Sequence, residues 1–141
     1  MKPLSLIEKA FFLKRVKPFS ELDLDLLLAV AEKLYYDEYD AGEKVFTLGQ
    51  AANRMYLIVQ GSIEIYDGKM RPLYLLQGDD FFGDESLFNE QPRSYGAICK
   101  ADAQLLTLSR SHLLSVISEC PSVAVSLLQC YAQQTPCRSK L

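Results

Sequence analysis

The 141-residue chain has no tryptophan, a single histidine and seven glycines. His112 stands in a helical stretch of mixed character with no second histidine near it, so the default reading is a half-exposed helix residue rather than a catalytic base. Four cysteines, Cys99, Cys120, Cys130 and Cys137, contain no C-x-x-C pair, which argues against a zinc site. Cys99 in a strand pattern and Cys120 beside an apolar helix read as small buried hydrophobes, and the compartment reads as reducing, hence cytoplasmic. Also missing are a Ser-His-Asp set, an HExxH pair, a P-loop and a G-x-G-x-x-G turn, so the chain is read as a non-enzyme. No run approaches eighteen consecutive apolar residues, so no membrane span is expected. Met1-Lys2-Pro3 leads straight into an amphipathic stretch that holds Glu8 and Lys9, which is not a secretory pattern. The net charge of −3 speaks against a nucleic-acid surface, and the cluster Lys14, Arg15, Lys17 reads as a solvated helix end. At this length one domain is expected.

What is present is a change of period along the chain. Residues 4 to 15 carry a helical pattern, and Pro18 punctuates it. Ser20 reads as an N-cap for a strongly apolar helix through Leu24, Leu27, Val30, Ala31 and Leu34. After Gly42 the pattern alternates. Met55, Leu57 and Val59 lead to an expected turn at Gln60-Gly61, then Ile63 and Ile65, and Asp67-Gly68 marks a second tight turn. Residues 103 to 108 form an expected last strand. Helices follow from Ser109 and from Pro121, the second carrying Leu127, Leu128 and Tyr131 and ending at Thr135-Pro136. The resulting fold class is mainly β with flanking helices, a small barrel or jelly roll. Its parts are an N-terminal helical segment (1–36), a β-roll (37–108), C-terminal helices (109–134) and a tail (135–141).

The most specific stretch is Gly78-Asp79-Asp80-Phe81-Phe82-Gly83-Asp84-Glu85-Ser86-Leu87-Phe88, followed by Pro92-Arg93-Ser94. A strand breaks at a glycine, a short helix begins, and a lone arginine follows before the strand pattern resumes at Ala97. Helix-start N–H groups attract an anion, and a guanidinium can grip two phosphate oxygens at once. The segment at 78–97 resembles the phosphate-binding cassette of cyclic nucleotide-binding domains, F-G-E-[LI]-A-L-[LF] and then P-R-[AST]-A-[ST]. Tyr39-Asp40-Ala41-Gly42-Glu43, Val45-Phe46, Gly49, Met55-Tyr56-Leu57-Ile58 and Gly61-Ser62-Ile63-Glu64-Ile65 fall in the family's order. The resemblance covers roughly residues 10 to 130 and implies the β-roll (double-stranded β-helix) of that family.

By that resemblance Arg93 pairs with a ligand's exocyclic phosphate, and Gly83 lets the backbone approach it. The N–H groups of Asp84, Glu85 and Ser86 face the phosphate, and Ser94 neighbours it. Phe46, Ile65 and Leu75 would line the base. Three positions depart from the family. Asp84 replaces the ribose-binding glutamate with a side chain one methylene shorter. Tyr95 stands where alanine is usual, and either fills the pocket with its hydroxyl near Arg93 or turns outward. Gly96 lacks the usual hydroxyl. Glu85 replaces an aliphatic residue and either faces solvent or serves the ribose.

Two functions follow from these features. One is a stand-alone regulatory module that binds cyclic AMP, or alternatively cyclic GMP, and signals to an effector protein, with no other cofactor and no metal. The other is a degenerate member whose occluded pocket leaves a protein-interaction or homodimerisation module, built on the leucine-rich helix at 24 to 34. Ser139-Lys140-Leu141 spells a peroxisomal address if the source is eukaryotic, the alternative to a cytoplasmic location.

Overall fold

The computed structural model describes residues 3–134, and the expectations for Thr135-Pro136, Cys137 and the Ser139-Lys140-Leu141 address lie outside them. Helix α1 (Leu6–Leu13) starts with a capping box: Ser5 Oγ accepts from the Glu8 N–H while the Glu8 carboxylate accepts from the Ser5 N–H. A 3₁₀ turn at Lys17–Phe19 contains Pro18. The cap of α2 (Leu24–Ala31) is Asp23, whose carboxylate accepts from the Leu26 N–H, and not Ser20. Ser20 instead closes the 3₁₀ turn, its hydroxyl donating to the Lys17 carbonyl. Two oxygen-bearing residues three apart can each cap a helix, and the proline-built turn decides which one does.

Six strands follow: β1 (Tyr35–Tyr39), β2 (Lys44–Phe46), β3 (Arg54–Tyr66), β4 (Pro72–Leu76), β5 (Phe81–Phe82) and β6 (Gly96–Ser109). Short helix α3 (Glu85–Asn89) stands between β5 and β6, and α4 (Arg110–Glu119) and α5 (Pro121–Gln134) close the described residues. The long strands β3 and β6 pair antiparallel along their whole length. Strands β1 and β2 add to β6, while β4 and β5 add to β3. The result is an antiparallel β-roll with helices before and after it, as the sequence indicates.

Where a turn is expected at Gln60-Gly61, β3 runs straight on, with its register against β6 shifting on either side of Ser62. Gly61 has φ +95°, and a Cβ there would meet the Asp102 carbonyl oxygen at 2.4 Å. A positive-φ glycine serves a bulge as well as a hairpin, and only the neighbouring strand decides between them. The expected strand at 103 to 108 is likewise the second half of β6. Asp67 does make a hairpin: its carboxylate accepts from the N–H groups of Lys69 and Arg71.

Alternate residues of β3 enter two separate cores. Met55 and Leu57 pack with Leu106, Leu108 and the helices, among them Leu27, Val30, Leu113 and Leu127. Tyr56, Ile58, Ile63 and Ile65 fill the roll with Phe46, Phe82, Ala97, Cys99 and Leu105. A strand buried on both faces reads as a continuous apolar run, as Met55-Tyr56-Leu57-Ile58 does. On α2 only Leu24 is clearly exposed among the leucines, so that helix turns most of its apolar surface inward.

Candidate functional site

Strand β4 hands the chain to β5 through Gly78-Asp79-Asp80, and the Phe81-Phe82 pair docks on Tyr56 and Leu57 of β3. Gly83 follows with φ +80°, a conformation that favours glycine. A Cβ there would also meet Arg93 Nη1 at 2.9 Å, so close approach and backbone angle both require the glycine. Below it, Phe46, Tyr56 and Phe82 form an aromatic floor, with Tyr56 and Phe82 stacked at 5.0 Å.

A cleft of about 560 Å³ opens beside this floor, lined on one side by Ile65, Tyr74 and Leu76 and on the other by Asp84, Glu85, Ser94, Tyr95 and Tyr131. Leu73, Phe81 and Phe82 complete it, and among the described residues its lining carries no lysine or arginine. Of the residues expected against a base, Ile65 lines the cleft. Phe46 lies beneath it in the core. Leu75 is 54 % exposed on the outer face of β4. The register explains this. Tyr74 pairs with Ile65 and Leu76 with Ile63, so these two share the inner face, while Leu75 pairs with Glu64 and points outward.

Arg93 is 4 % exposed and does not line the cleft. Its Nη1 donates to the Gly83 carbonyl at 2.5 Å and its Nη2 to the Arg54 carbonyl at 2.6 Å. The guanidinium lies over the Phe46 ring, 4.2 Å from its centroid. Its Nε is buried with no partner among the described residues, and no carboxylate there forms a salt bridge with it. Burial pulls its pKa below the usual arginine value. A buried cation bonded to carbonyl dipoles and ring faces, with Glu85 and Asp84 acting only at longer range, is incompletely balanced.

Tyr95 resolves one open alternative by turning inward. Its hydroxyl accepts from the Gly83 N–H at 2.8 Å and donates to Glu85 Oε1 at 2.7 Å. Burial, with the Glu85 carboxylate second, holds the phenol well above its ordinary pKa, so it keeps the proton it donates. Glu85 is exposed but engaged. Asp84 is 2 % exposed, and its Oδ2 accepts from the Tyr131 hydroxyl of α5. Burial, and next the neighbouring Glu85, raise the Asp84 carboxyl from 3.8 to about 6. Ser86 is buried behind the cassette with its hydroxyl toward the Pro92 carbonyl, away from the cleft. Ser94 faces the cleft and is exposed.

Gly96 has its own reason. It pairs across the sheet with Tyr66, and a Cβ there would meet the Tyr66 ring at 2.2 Å. The missing hydroxyl at this position is a consequence of that ring. Sequence reasoning does not place Tyr74 or Leu76 in the cleft, and it names Tyr131, with Leu127 and Leu128, on the C-terminal helix that the family resemblance makes a short lid over the pocket. The alternation of β4 against Ile63 and Ile65 was the available signal for the first two.

Fold and site together define a β-roll domain with a strand–glycine–helix cassette at the mouth of a cleft. The family model for the cyclic nucleotide-binding domain matches residues 36–120. The chain belongs to that family. It is 30% identical over 116 residues to the cyclic AMP receptor protein of Thermus thermophilus, covering 79% of this chain and 52% of the relative. It is 26% identical over 126 residues to a CRP-like cAMP-activated global transcriptional regulator of Mycobacterium tuberculosis, covering 86% of this chain and 56% of the relative. The chain thus spans about half the length of these curated relatives. The crystal structure of the Thermus thermophilus catabolite activator protein superposes with a TM-score of 0.78 at 28% identity, over 84% of this chain and 57% of that one.

Proposed function

We propose that this chain is a non-catalytic regulatory module that binds a cyclic purine nucleotide, cyclic AMP in first place and cyclic GMP as its competitor, and signals to an effector protein. The observation that carries this reading is Arg93: a buried guanidinium next to Gly83, with an unpartnered Nε and no ion-paired carboxylate among the described residues. A phosphate at the mouth of the cleft would draw Arg93 off the two carbonyls and supply the missing counter-charge. The base would stand against Ile65, Tyr74 and Leu76, and the ribose beside Asp84 and Glu85. Output runs through α5, because Asp84 of the cassette is tied to Tyr131. A ligand that competes for Asp84 changes the hold of the cassette on that helix.

Calorimetric titration of the full chain with each nucleotide tests this. Binding of wild type and its loss by about 10- to 100-fold in Arg93→Lys is expected, since lysine keeps the charge but not the fork that grips two oxygens. Equal affinity in the two forms would remove Arg93 from the site. A second reading, an interaction module that no longer takes the nucleotide, is favoured by one observation: the Tyr95 hydroxyl already holds the Gly83 N–H.

A further inference from the structure

The Tyr95 hydroxyl takes up a backbone donor of the cassette. It accepts the Gly83 N–H, and its own proton is accepted by Glu85. The ring is seated against Phe46, with centroids 5.6 Å apart, so the side chain is packed and not merely leaning into space. On the other side of the same residue, the Gly83 carbonyl accepts from the Arg93 guanidinium. The Gly83 amide is therefore satisfied without any phosphate, while Arg93 Nε keeps no partner among the described residues. What remains open is the cleft beyond the cassette, with Ile65, Tyr74 and Leu76 on its apolar side and the carboxylates of Asp84 and Glu85 on the other. Carboxylates accept hydrogen bonds from sugar hydroxyls, and they repel an anion that approaches without its counter-charge.

We propose that Tyr95 sets the ligand preference of this cleft, acting as a built-in substitute for the phosphate oxygen, so that an uncharged purine nucleoside enters freely while a cyclic nucleotide must first displace the phenol. Glu85 is a positioning residue that holds the phenol in place. The inference rests on the cleft being a purine site, and it deepens that reading by naming the contact that the phosphate of a cyclic nucleotide must displace.

The test compares adenosine with cyclic AMP on wild type and Tyr95→Phe by calorimetry. Phenylalanine keeps the ring against Phe46 and removes only the hydroxyl. One hydrogen bond fewer to break tightens cyclic AMP about tenfold, while adenosine stays within about twofold of wild type. Glu85→Gln, which leaves a weaker neutral acceptor, gives a smaller gain in the same direction. Without ligand, the Gly83 amide proton resonance moves upfield in Tyr95→Phe as its hydrogen bond is lost. Equal changes for both ligands, or an unmoved Gly83 resonance, overturn the role of Tyr95 and leave the cleft reading intact. Binding of neither ligand by either form sinks the cleft reading itself.

Discussion

Asp84→Asn makes the sharpest use of the site's electrostatics. The carboxyl is 2 % exposed, and burial and Glu85 raise it from 3.8 to about 6. A raised carboxyl pKa means that the folded protein holds this proton more tightly than the unfolded chain does. The stability it confers is therefore present below pH 4 and is lost as pH rises through about 6. At about 1.4 kcal/mol per unit, the shift amounts to roughly 3 kcal/mol. Asparagine still offers Tyr131 a carbonyl oxygen but never ionises. Relative to wild type, the variant should gain about 3 kcal/mol between pH 4 and pH 7, or roughly 10 °C in melting temperature for a domain of this size. Thermal melts of both proteins at half-unit steps from pH 4 to pH 8 read this directly. Parallel curves would refute the reasoning, because they would mean that Asp84 ionises in the fold as easily as in the unfolded chain.

Arg93→Ala should lower stability by about 2–4 kcal/mol in chemical denaturation, since it removes the bonds to the buried Gly83 carbonyl and the part-buried Arg54 carbonyl and the packing on Phe46; a loss below about 0.5 kcal/mol would contradict its structural engagement. Gly96→Ala should cost roughly 2 kcal/mol through collision with Tyr66, and Tyr66→Ala in the same chain should make the second substitution nearly neutral, as a double-mutant cycle would reveal. Gly61→Ala should cost about 3 kcal/mol or more, because both its φ of +95° and the Asp102 carbonyl oppose a Cβ; a melting temperature equal to wild type would mean that β3 can straighten at the bulge.

Much of this was legible in residue order. Pro121 opens a helix, Ser109 caps one with its hydroxyl on the His112 N–H, and Asp67-Gly68 makes a hairpin. These signals act over three or four residues, and local chemistry fixes them. The cassette was legible for the same reason, since Gly83 needs its conformation whatever lies around it. Gly61 was misread because the choice between turn and bulge belongs to β6, a strand some forty residues away. Leu75 points outward because pairing with Glu64 sets the face it occupies, and a one-residue slip in register inverts inside and outside. The directions of Arg93 and Tyr95 depend on carbonyls and carboxylates contributed by β3 and the cassette. Tyr131 meets Asp84 only once α5 has folded back over the roll. Such contacts across long sequence separations leave no periodic trace.

The most direct measurement is amide hydrogen exchange of the full chain with and without saturating cyclic AMP. The account predicts slowed exchange in residues 81–96 and changed exchange in α5 from Leu127 to Tyr131, with β1 and α2 unaffected. No difference anywhere at millimolar nucleotide, or protection confined to the outer face away from the cleft, would contradict it.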